Sequence, residues 1–155
     1  MANEGLAVVR LGPGDGEAFA RMNAMFAAVF DDAESYTLRP PDDAYRDSLL
    51  ADHKIVLLLA TIDSAPVGAL AAYELRKFEQ ERSEFYLYDL AVDAQARRRG
   101  VATALVERLR DIARAAGGWM IIVQSDTMPE DEPALAFYRS IASSEEHPVH
   151  FDIKP

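Results

Sequence analysis

The 155-residue chain contains no cysteine, which excludes disulfide bonds, thiolate metal ligands and a cysteinyl acyl intermediate. It also has no uninterrupted apolar run that approaches the roughly 20 residues needed by a membrane-spanning helix. The first residues show neither a basic segment nor an apolar core of the kind found in signal peptides. We therefore expect a soluble, cytoplasmic protein that does not associate with membranes.

Basic residues are in the minority. Lys and Arg number 16 against 26 Asp and Glu, which gives a formal net charge of −10. A net anion of this size repels phosphate backbones, so general nucleic-acid binding is not expected, whereas a polycation would be attracted. Half of the residues are apolar and the length is close to that of one domain. We therefore predict a single globular domain over residues 1–155.

Apolar periodicity predicts an alternation of strands and helices. The predicted strands lie at residues 8–11, 55–62, 67–75, 84–92, 119–124 and 149–153. The predicted helices lie between Asp15 and Phe30, between Asp42 and Leu50, at 98–116 and at 133–141, and an acidic loop is expected at 31–35. Asp15 and Asp42 are placed to cap the first two helices. This order predicts an α/β fold with a mixed sheet.

The junction after the fourth predicted strand carries the most informative pattern. The residues Arg97-Arg98-Arg99-Gly100-Val101-Ala102-Thr103 lead from that strand into a helix. Backbone N–H groups at the start of a helix lack partners inside the helix and favour an anion. Small residues at 100 and 102 would let phosphates approach the backbone, and the arginines add positive charge. A solvated basic helix start is the competing interpretation, since the turn matches neither G-x-G-x-x-G nor a P-loop.

Three stretches together resemble the GNAT superfamily of acyl-CoA-dependent N-acetyltransferases. They are the strand Leu90-Ala91-Val92, the turn Arg97-x-x-Gly100-x-Ala102, and Ala134-x-x-Phe137-Tyr138 on a later helix. Stretches at 67–73, 77–84, 88–92 and 150–153 resemble the type I aminoglycoside 3-N-acetyltransferases, the gentamicin-modifying branch of antibiotic-resistance enzymes. The likeness extends from about residue 11 to residue 153. It implies an α/β fold whose mixed central sheet is flanked by helices and splays between strands 4 and 5.

The resemblance also implies acetyl-CoA as the acetyl donor, no metal, and a homodimer. Its pyrophosphate would sit on backbone amides of the turn, and its pantetheine arm would pair with the fourth strand. The implied cofactor-binding residues are Leu90, Ala91, Val92, Arg97, Arg98, Arg99, Gly100, Val101, Ala102, Thr103 and Asp131. Asp131 stands where the family often has Asn. Tyr138 is implied as the proton donor to the departing thiolate, and simple ring packing is the alternative role.

An alkylammonium cannot attack a thioester, so a carboxylate or an ordered water must first accept a proton. Strict alternation along the fourth strand would put Glu84 on the same face as Tyr86 and Tyr88, opposite Asp89. Glu84 therefore ranks first as the base, acting through water. Asp126, expected at the end of the fifth strand, ranks second. Asp89 is open to a different interpretation, as a buried, hydrogen-bonded strand residue.

Acidic and aromatic side chains are expected to bind a cationic acceptor. The predicted acceptor-binding residues are Asp31, Tyr36, Glu84, Tyr86, Asp126, Glu130 and Asp152. Each carboxylate alone could be a solvated surface charge, but together they would produce the negative field that attracts a polycation. A metal site at His147, His150 and Asp152 is not predicted, because positions 147 and 150 face opposite sides of a strand.

These features predict transfer of an acetyl group from acetyl-CoA to the 3-amino group of a gentamicin-class aminoglycoside, by direct attack in a ternary complex. The same chemistry on a polyamine or a protein amine is the nearer alternative. An acyl-CoA-binding module without turnover is the more distant one. Tyr138 and the cleft carboxylates argue against that module, because a pure binder needs neither.

Overall fold

The computed structural model of the chain describes residues 5–155. Contacts divide the chain into two compact units, Met1–Val123 and Gln124–Pro155. Most of the regular structure lies in the first unit, and the second contains one α-helix preceded by a short 3₁₀ helix. The expectation of a single domain stays a prediction.

The first unit is built on one five-stranded sheet of order β1-β2-β3-β4-β5. The strands are β1 Leu6–Arg10, β2 Ile55–Ile62, β3 Ala65–Arg76, β4 Ser83–Val92 and β5 Gly118–Val123. Neighbouring strands are antiparallel except for β4 and β5, which are parallel. The parallel pair requires a crossover, and a helix between β4 and β5 supplies it. The mixed sheet confirms the predicted α/β fold class.

Helices connect and flank the strands. The first unit contains α1 Gly16–Phe30, α2 Ala33–Tyr36, α3 Asp43–Ala51, a short 3₁₀ helix Ala94–Ala96, and α4 Val101–Ala115. The second unit contains a 3₁₀ helix, Pro129–Asp131, followed by α5 Glu132–Ile141. Asp42 caps α3 as predicted, since its carboxylate accepts a hydrogen bond from the Tyr45 N–H at 2.8 Å. Asp15 instead accepts a hydrogen bond from the Gly12 N–H and so closes the preceding turn.

Two apolar layers hold the sheet between helices. Leu57 and Leu59 of β2 belong to one buried cluster with Phe26 and the other apolar residues of α1. The alternating β2 residues point to the opposite face and are fully buried there. The apolar stripe of α4 packs on that second face, where Val101 and Leu105 lie close to β3. Both layers are therefore consequences of the predicted period-2 and period-3.6 patterns.

Three sequence predictions differ from the structure. The loop expected at 31–35 contains α2, because the Asp32 carboxylate accepts a hydrogen bond from the Ser35 N–H at 3.0 Å and starts a helical turn. The helix expected from residue 98 begins at Val101, because Arg98 and Gly100 adopt left-handed backbone conformations that a helix cannot contain.

The strand expected at 149–153 is wrong. Residues 142–155 are all described and form no strand, and Val149, Phe151 and Ile153 are 75%, 79% and 90% exposed. A strand requires a partner for its backbone hydrogen bonds, and sequence alternation alone does not supply that partner. Within residues 5–155, no helix is both long and apolar enough to cross a membrane.

Candidate active site

The sheet opens between β4 and β5, as predicted. The two strands pair from Ser83 opposite Gly118 to Leu87 opposite Val123, and the pairing ends there. β4 continues to Val92 and remains paired with β3 on its other side. The β4 edge at residues 88–92 therefore has no strand partner on the β5 side within the described chain. Leu90, Ala91 and Val92 lie on this edge, where an extended ligand arm could hydrogen-bond to the backbone.

A β-bulge lies at the point where the strands separate. Ala71 of β3 pairs with Asp89 while Ala72 pairs with Leu87, so Tyr88 is the extra residue in β4. A bulge interrupts the alternation of side chains, and Asp89 consequently points to the face that also carries Tyr86. The prediction that Asp89 faces away from Glu84 and Tyr86 is thus wrong. Sequence alternation could not reveal the inserted residue.

The turn between β4 and α4 is exposed to solvent between two buried residues. Ala96 and Val101 are buried and anchor its two ends, whereas Arg97, Arg98, Arg99 and Gly100 are exposed. The Asp93 carboxylate stabilises the start of the turn by accepting a hydrogen bond from the Gln95 N–H at 2.8 Å.

The start of α4 has the properties of an anion site. Gly100 is its N-cap residue, with φ 78° and ψ 7°, and makes no side-chain capping bond. The first backbone bond of the helix runs from the Ala104 N–H to the Gly100 carbonyl, so the amides of residues 101–103 lack helical partners. Such amides can hold a phosphate, and the neighbouring arginines supply positive charge. The residues of the predicted cofactor turn therefore fit a pyrophosphate.

Glu84, the first-ranked base, is held in an ion pair. Its carboxylate lies 3.5 Å from the Lys77 ammonium, and its side chain is 18% exposed. Lys77 also lies 3.7 Å from Glu79, which belongs to the loop between β3 and β4. An acceptor ammonium would have to compete with Lys77 for the Glu84 carboxylate.

A second acidic group, Asp89, lies at a cavity of about 150 Å³ lined by α1, α2, α3 and the sheet. Its Oδ2 accepts a hydrogen bond of 2.9 Å from the Tyr36 hydroxyl. Burial raises the pKa of Asp89 above its ordinary value, and the hydrogen bond from Tyr36 opposes that rise. Burial and the Asp89 charge together raise the pKa of Tyr36, so Tyr36 remains the hydrogen-bond donor at neutral pH. The sequence predicted Tyr36 as an acceptor contact, but Asp89 was left out of the predicted site and interpreted as a buried, hydrogen-bonded strand residue.

Four tyrosines lie near this acidic group: Tyr36, which binds it, and Tyr73, Tyr86 and Tyr88, whose rings contact one another. The Tyr36 ring is stacked on Phe26 at 5.4 Å between ring centroids, so one of its faces is covered. Tyr88 is 59% exposed and meets Tyr73 and Tyr86 edge to face, at 5.8 Å and 5.5 Å. These three rings present aromatic edges and faces beside the opening of the sheet. Such rings suit the apolar faces of sugar rings.

The second unit carries five more of the predicted residues. Asp126, Glu130 and Asp152 are exposed. Asp131 accepts a hydrogen bond from the Met128 N–H at 3.0 Å and so closes the turn before α5. Tyr138 lies on α5 with its ring 5.5 Å from that of Phe137. The roles predicted for these residues stay predictions.

Asp31 lies at the C-terminal end of α1, where it is exposed and adopts a left-handed conformation. Asp152 is 2.9 Å from the His150 Nε2. Among residues 5–155, no group of three or more His, Asp or Glu side chains is arranged to hold a metal ion.

Comparisons with known proteins agree with this geometry. The acetyltransferase (GNAT) family profile matches residues 22–142. A solved structure of the aminoglycoside acetyltransferase HMB0005, from an uncultured soil metagenomic sample, is 47% identical. The match covers 97% of this chain and 98% of that one, with a TM-score of 0.93. The aminoglycoside acetyltransferase meta-AAC0020, also from a soil metagenomic sample and solved with sisomicin, is 29% identical. That match covers 100% and 99% of the two chains, with a TM-score of 0.89.

A more distant structure shares the fold alone. The aminoglycoside N-acetyltransferase AAC(6')-Iy, solved in complex with CoA, is 17% identical over 96% of this chain and 94% of that one, with a TM-score of 0.75. No curated protein sequence matches the chain. The family profile spans most of the chain, and the 47% identical structure is matched along nearly its whole length. The chain belongs to the GNAT acetyltransferase family.

Proposed function

We propose that the protein transfers the acetyl group of acetyl-CoA to the 3-amino group of a gentamicin-class aminoglycoside. The observation that carries the substrate class is the 47% identity to an aminoglycoside acetyltransferase across 97% of the chain. The complex of a second relative with sisomicin supports the same class. Position 3 rests on the resemblance of residues 77–84 and 150–153 to the type I 3-N-acetyltransferases. The net charge of −10 suits a polycationic acceptor.

Acetyl-CoA fits the opening of the sheet and the turn that follows it. Its pantetheine arm would pair with the β4 edge at Leu90, Ala91 and Val92. Its pyrophosphate would accept hydrogen bonds from the amides at the start of α4, where Gly100 and Ala102 leave room for the phosphates. Arg97, Arg98 and Arg99 would add charge, and Asp131 is proposed to lie near the cofactor.

The acceptor is proposed to bind through carboxylates and aromatic rings. The proposed contacts are Asp31, Tyr36, Glu84, Tyr86, Asp126, Glu130 and Asp152. Carboxylates pair with the ammonium groups of an aminoglycoside, and tyrosine rings cover the apolar faces of its sugars. A homodimer is proposed from the same family resemblance.

The reaction needs a base for the acceptor ammonium and an acid for the departing thiolate. Tyr138 is proposed as the acid, because a phenol can protonate a thiolate. Glu84 and Asp126 are the candidates for the base that the sequence offers. Direct transfer is the simplest route, since the chain has no cysteine to carry an acyl group.

A thiol-release assay with acetyl-CoA tests the proposal. Gentamicin, sisomicin, spermidine and a lysine peptide are compared as acceptors at equal concentration. The proposal predicts turnover with the two aminoglycosides and little with the others. Turnover with spermidine or the peptide alone would overturn the aminoglycoside assignment. Acetyl-CoA binding without turnover on any acceptor would instead identify a non-catalytic module.

A further inference from the structure

The bulge at Tyr88 places one carboxylate beside the expected position of the thioester. Asp89 immediately precedes Leu90, the first residue of the edge proposed to pair with the pantetheine arm. It lies two residues after Leu87, the last β4 residue that pairs with β5, and it lines the cavity under α1 and α2. Its side chain is thus directed toward the face of the sheet that carries the tyrosines.

Among residues 5–155, one neutral donor holds this carboxylate. The Tyr36 hydroxyl donates to Asp89 Oδ2, and the Tyr36 ring is fixed by stacking on Phe26 and by contact with Phe30. Glu84 differs, because its carboxylate already lies in an ion pair with the Lys77 ammonium. A carboxylate held by a neutral phenol keeps its full negative charge available for an incoming ammonium.

We propose that Asp89, rather than Glu84 or Asp126, accepts the proton of the acceptor ammonium, and that Tyr36 is its positioning residue. The inference rests on the proposed function for the existence of an amine acceptor. It does not depend on which amine that acceptor is.

The groups already named account for every proton and electron pair in the reaction. The ammonium loses one proton to the Asp89 carboxylate, and the freed nitrogen lone pair forms the C–N bond to the thioester carbonyl carbon. The C–S bond breaks as the tetrahedral intermediate collapses. Tyr138 protonates the thiolate in the proposed scheme and regains a proton from the same nitrogen. Asp89 then releases its proton to solvent, so the reaction yields the amide, CoA thiol and one proton.

The groups around Asp89 determine its response to pH. Tyr36 donates to Asp89 from α2, and the Asp89 charge also acts on Tyr73 of β3. Asp32, the N-cap residue of α2, and Tyr88 of β4 act electrostatically on Tyr36. Tyr45 of α3 interacts electrostatically with Tyr73, and α1 contributes Asn23 and apolar side chains to the cavity. The pKa values of Tyr36 and Tyr73 are raised, so these two groups stay neutral, and the loss of activity on acidification should report Asp89 itself.

Asp89→Asn tests the base directly, because the amide oxygen can still accept the Tyr36 hydrogen bond. We expect kcat at neutral pH to fall by about 10²- to 10⁴-fold. The defect should shrink toward about pH 9, where more of the bound amine is already unprotonated. Glu84→Gln, measured in parallel, should raise KM for the acceptor, as the loss of a proposed contact would, without the pH-dependent fall in kcat. The acceptor is whichever amine gives the highest wild-type turnover.

Tyr36→Phe tests the positioning role while keeping the ring stacked on Phe26. Removal of the hydroxyl removes the hydrogen bond that lowers the pKa of Asp89, so that pKa should rise further. The acid limb of the kcat profile should therefore move to higher pH, by about one unit. Tyr45→Phe is the matched control, since Tyr45 is 60% exposed. It should leave both kcat and the limb unchanged.

Three results would overturn the inference. They are an Asp89→Asn variant within about threefold of wild type at every pH, a defect confined to KM at all pH values, and a Tyr36→Phe variant whose acid limb does not move. If Glu84→Gln alone gives the pH-dependent loss, Glu84 is the base. Failure of the proposed function has a different signature, in which wild-type protein acetylates only non-aminoglycoside amines. No turnover with any amine would overturn both the inference and the proposed function.

Discussion

Substitution of Gly100 by alanine tests whether the turn before α4 binds the cofactor, provided that the strain caused by alanine at a left-handed residue is measured separately. Gly100 and Gly117 both adopt left-handed conformations, with φ 78° and 72°. Gly100 begins α4, whereas Gly117 follows its end. A Cβ in that region costs roughly 1–2 kcal/mol at either position. The two substitutions should therefore lower the free energy of unfolding by similar amounts.

That loss corresponds to a fall in Tm of about 2–8 °C for a chain of this length. Only Gly100→Ala should also weaken acetyl-CoA binding, because its Cβ lies beside the amides proposed to hold the pyrophosphate. We expect its Kd for acetyl-CoA to rise at least about tenfold, which corresponds to about 1.4 kcal/mol. At Gly117 a Cβ meets no atom within 4 Å, so Gly117→Ala should bind acetyl-CoA as wild type does.

Isothermal titration with acetyl-CoA and thermal unfolding measure both quantities on the same samples. Acetyl-pantetheine, which lacks the pyrophosphate, is the matched ligand and should bind the Gly100→Ala variant with unchanged affinity. The reasoning is refuted if both alanine variants lose the same stability and bind acetyl-CoA equally well. It is also refuted if Gly100→Ala weakens acetyl-pantetheine as much as acetyl-CoA.

Three further predictions follow from single contacts. In Gly68→Ala the new Cβ would lie 2.5 Å from Val101 Cγ1. The free energy of unfolding should therefore fall by about 1–3 kcal/mol. Acetyl-CoA binding should also weaken, because the start of α4 has to shift. A lower Tm with unchanged acetyl-CoA affinity would contradict this link. Tyr138→Phe should lower kcat by about 10²-fold in the thiol-release assay, and wild-type turnover would remove Tyr138 from the acid role. Asp42→Ala removes the hydrogen bond that caps the Tyr45 N–H, so the free energy of unfolding should fall by about 1 kcal/mol while kcat is unchanged. An unchanged Tm would show that the cap contributes nothing to stability.

Local patterns predicted most of the first unit. The strand at 55–62 was predicted with its observed bounds, because a β-branched and aliphatic run bounded by polar residues is typical of a buried strand. The apolar stripe of α4 predicted its buried face, and residues 101, 105 and 109 are at most 1% exposed. The opening between β4 and β5 was predicted from the family resemblance, because periodicity alone does not indicate it.

The remaining features depend on contacts distant in sequence. The bulge at Tyr88 arises from register between β3 and β4, so strict alternation assigned Asp89 to the wrong face. The pairing of Asp89 with Tyr36 joins residues 53 positions apart, and no local pattern links them. A clue was present in the sequence, since a lone carboxylate in an apolar strand requires a partner. The prediction of a strand at 149–153 was wrong for a related reason. The residues alternate as in a strand, but no other strand in the described part of the chain pairs with them.

The central claim is tested most directly by the product formed from acetyl-CoA and gentamicin. Mass spectrometry counts the acetyl groups added, and two-dimensional NMR of the purified product locates them. The account predicts one acetyl group, on the 3-amino nitrogen. Acetylation at any other nitrogen would contradict the assigned position, and unmodified gentamicin after acetylation of spermidine or a lysine peptide would contradict the substrate class.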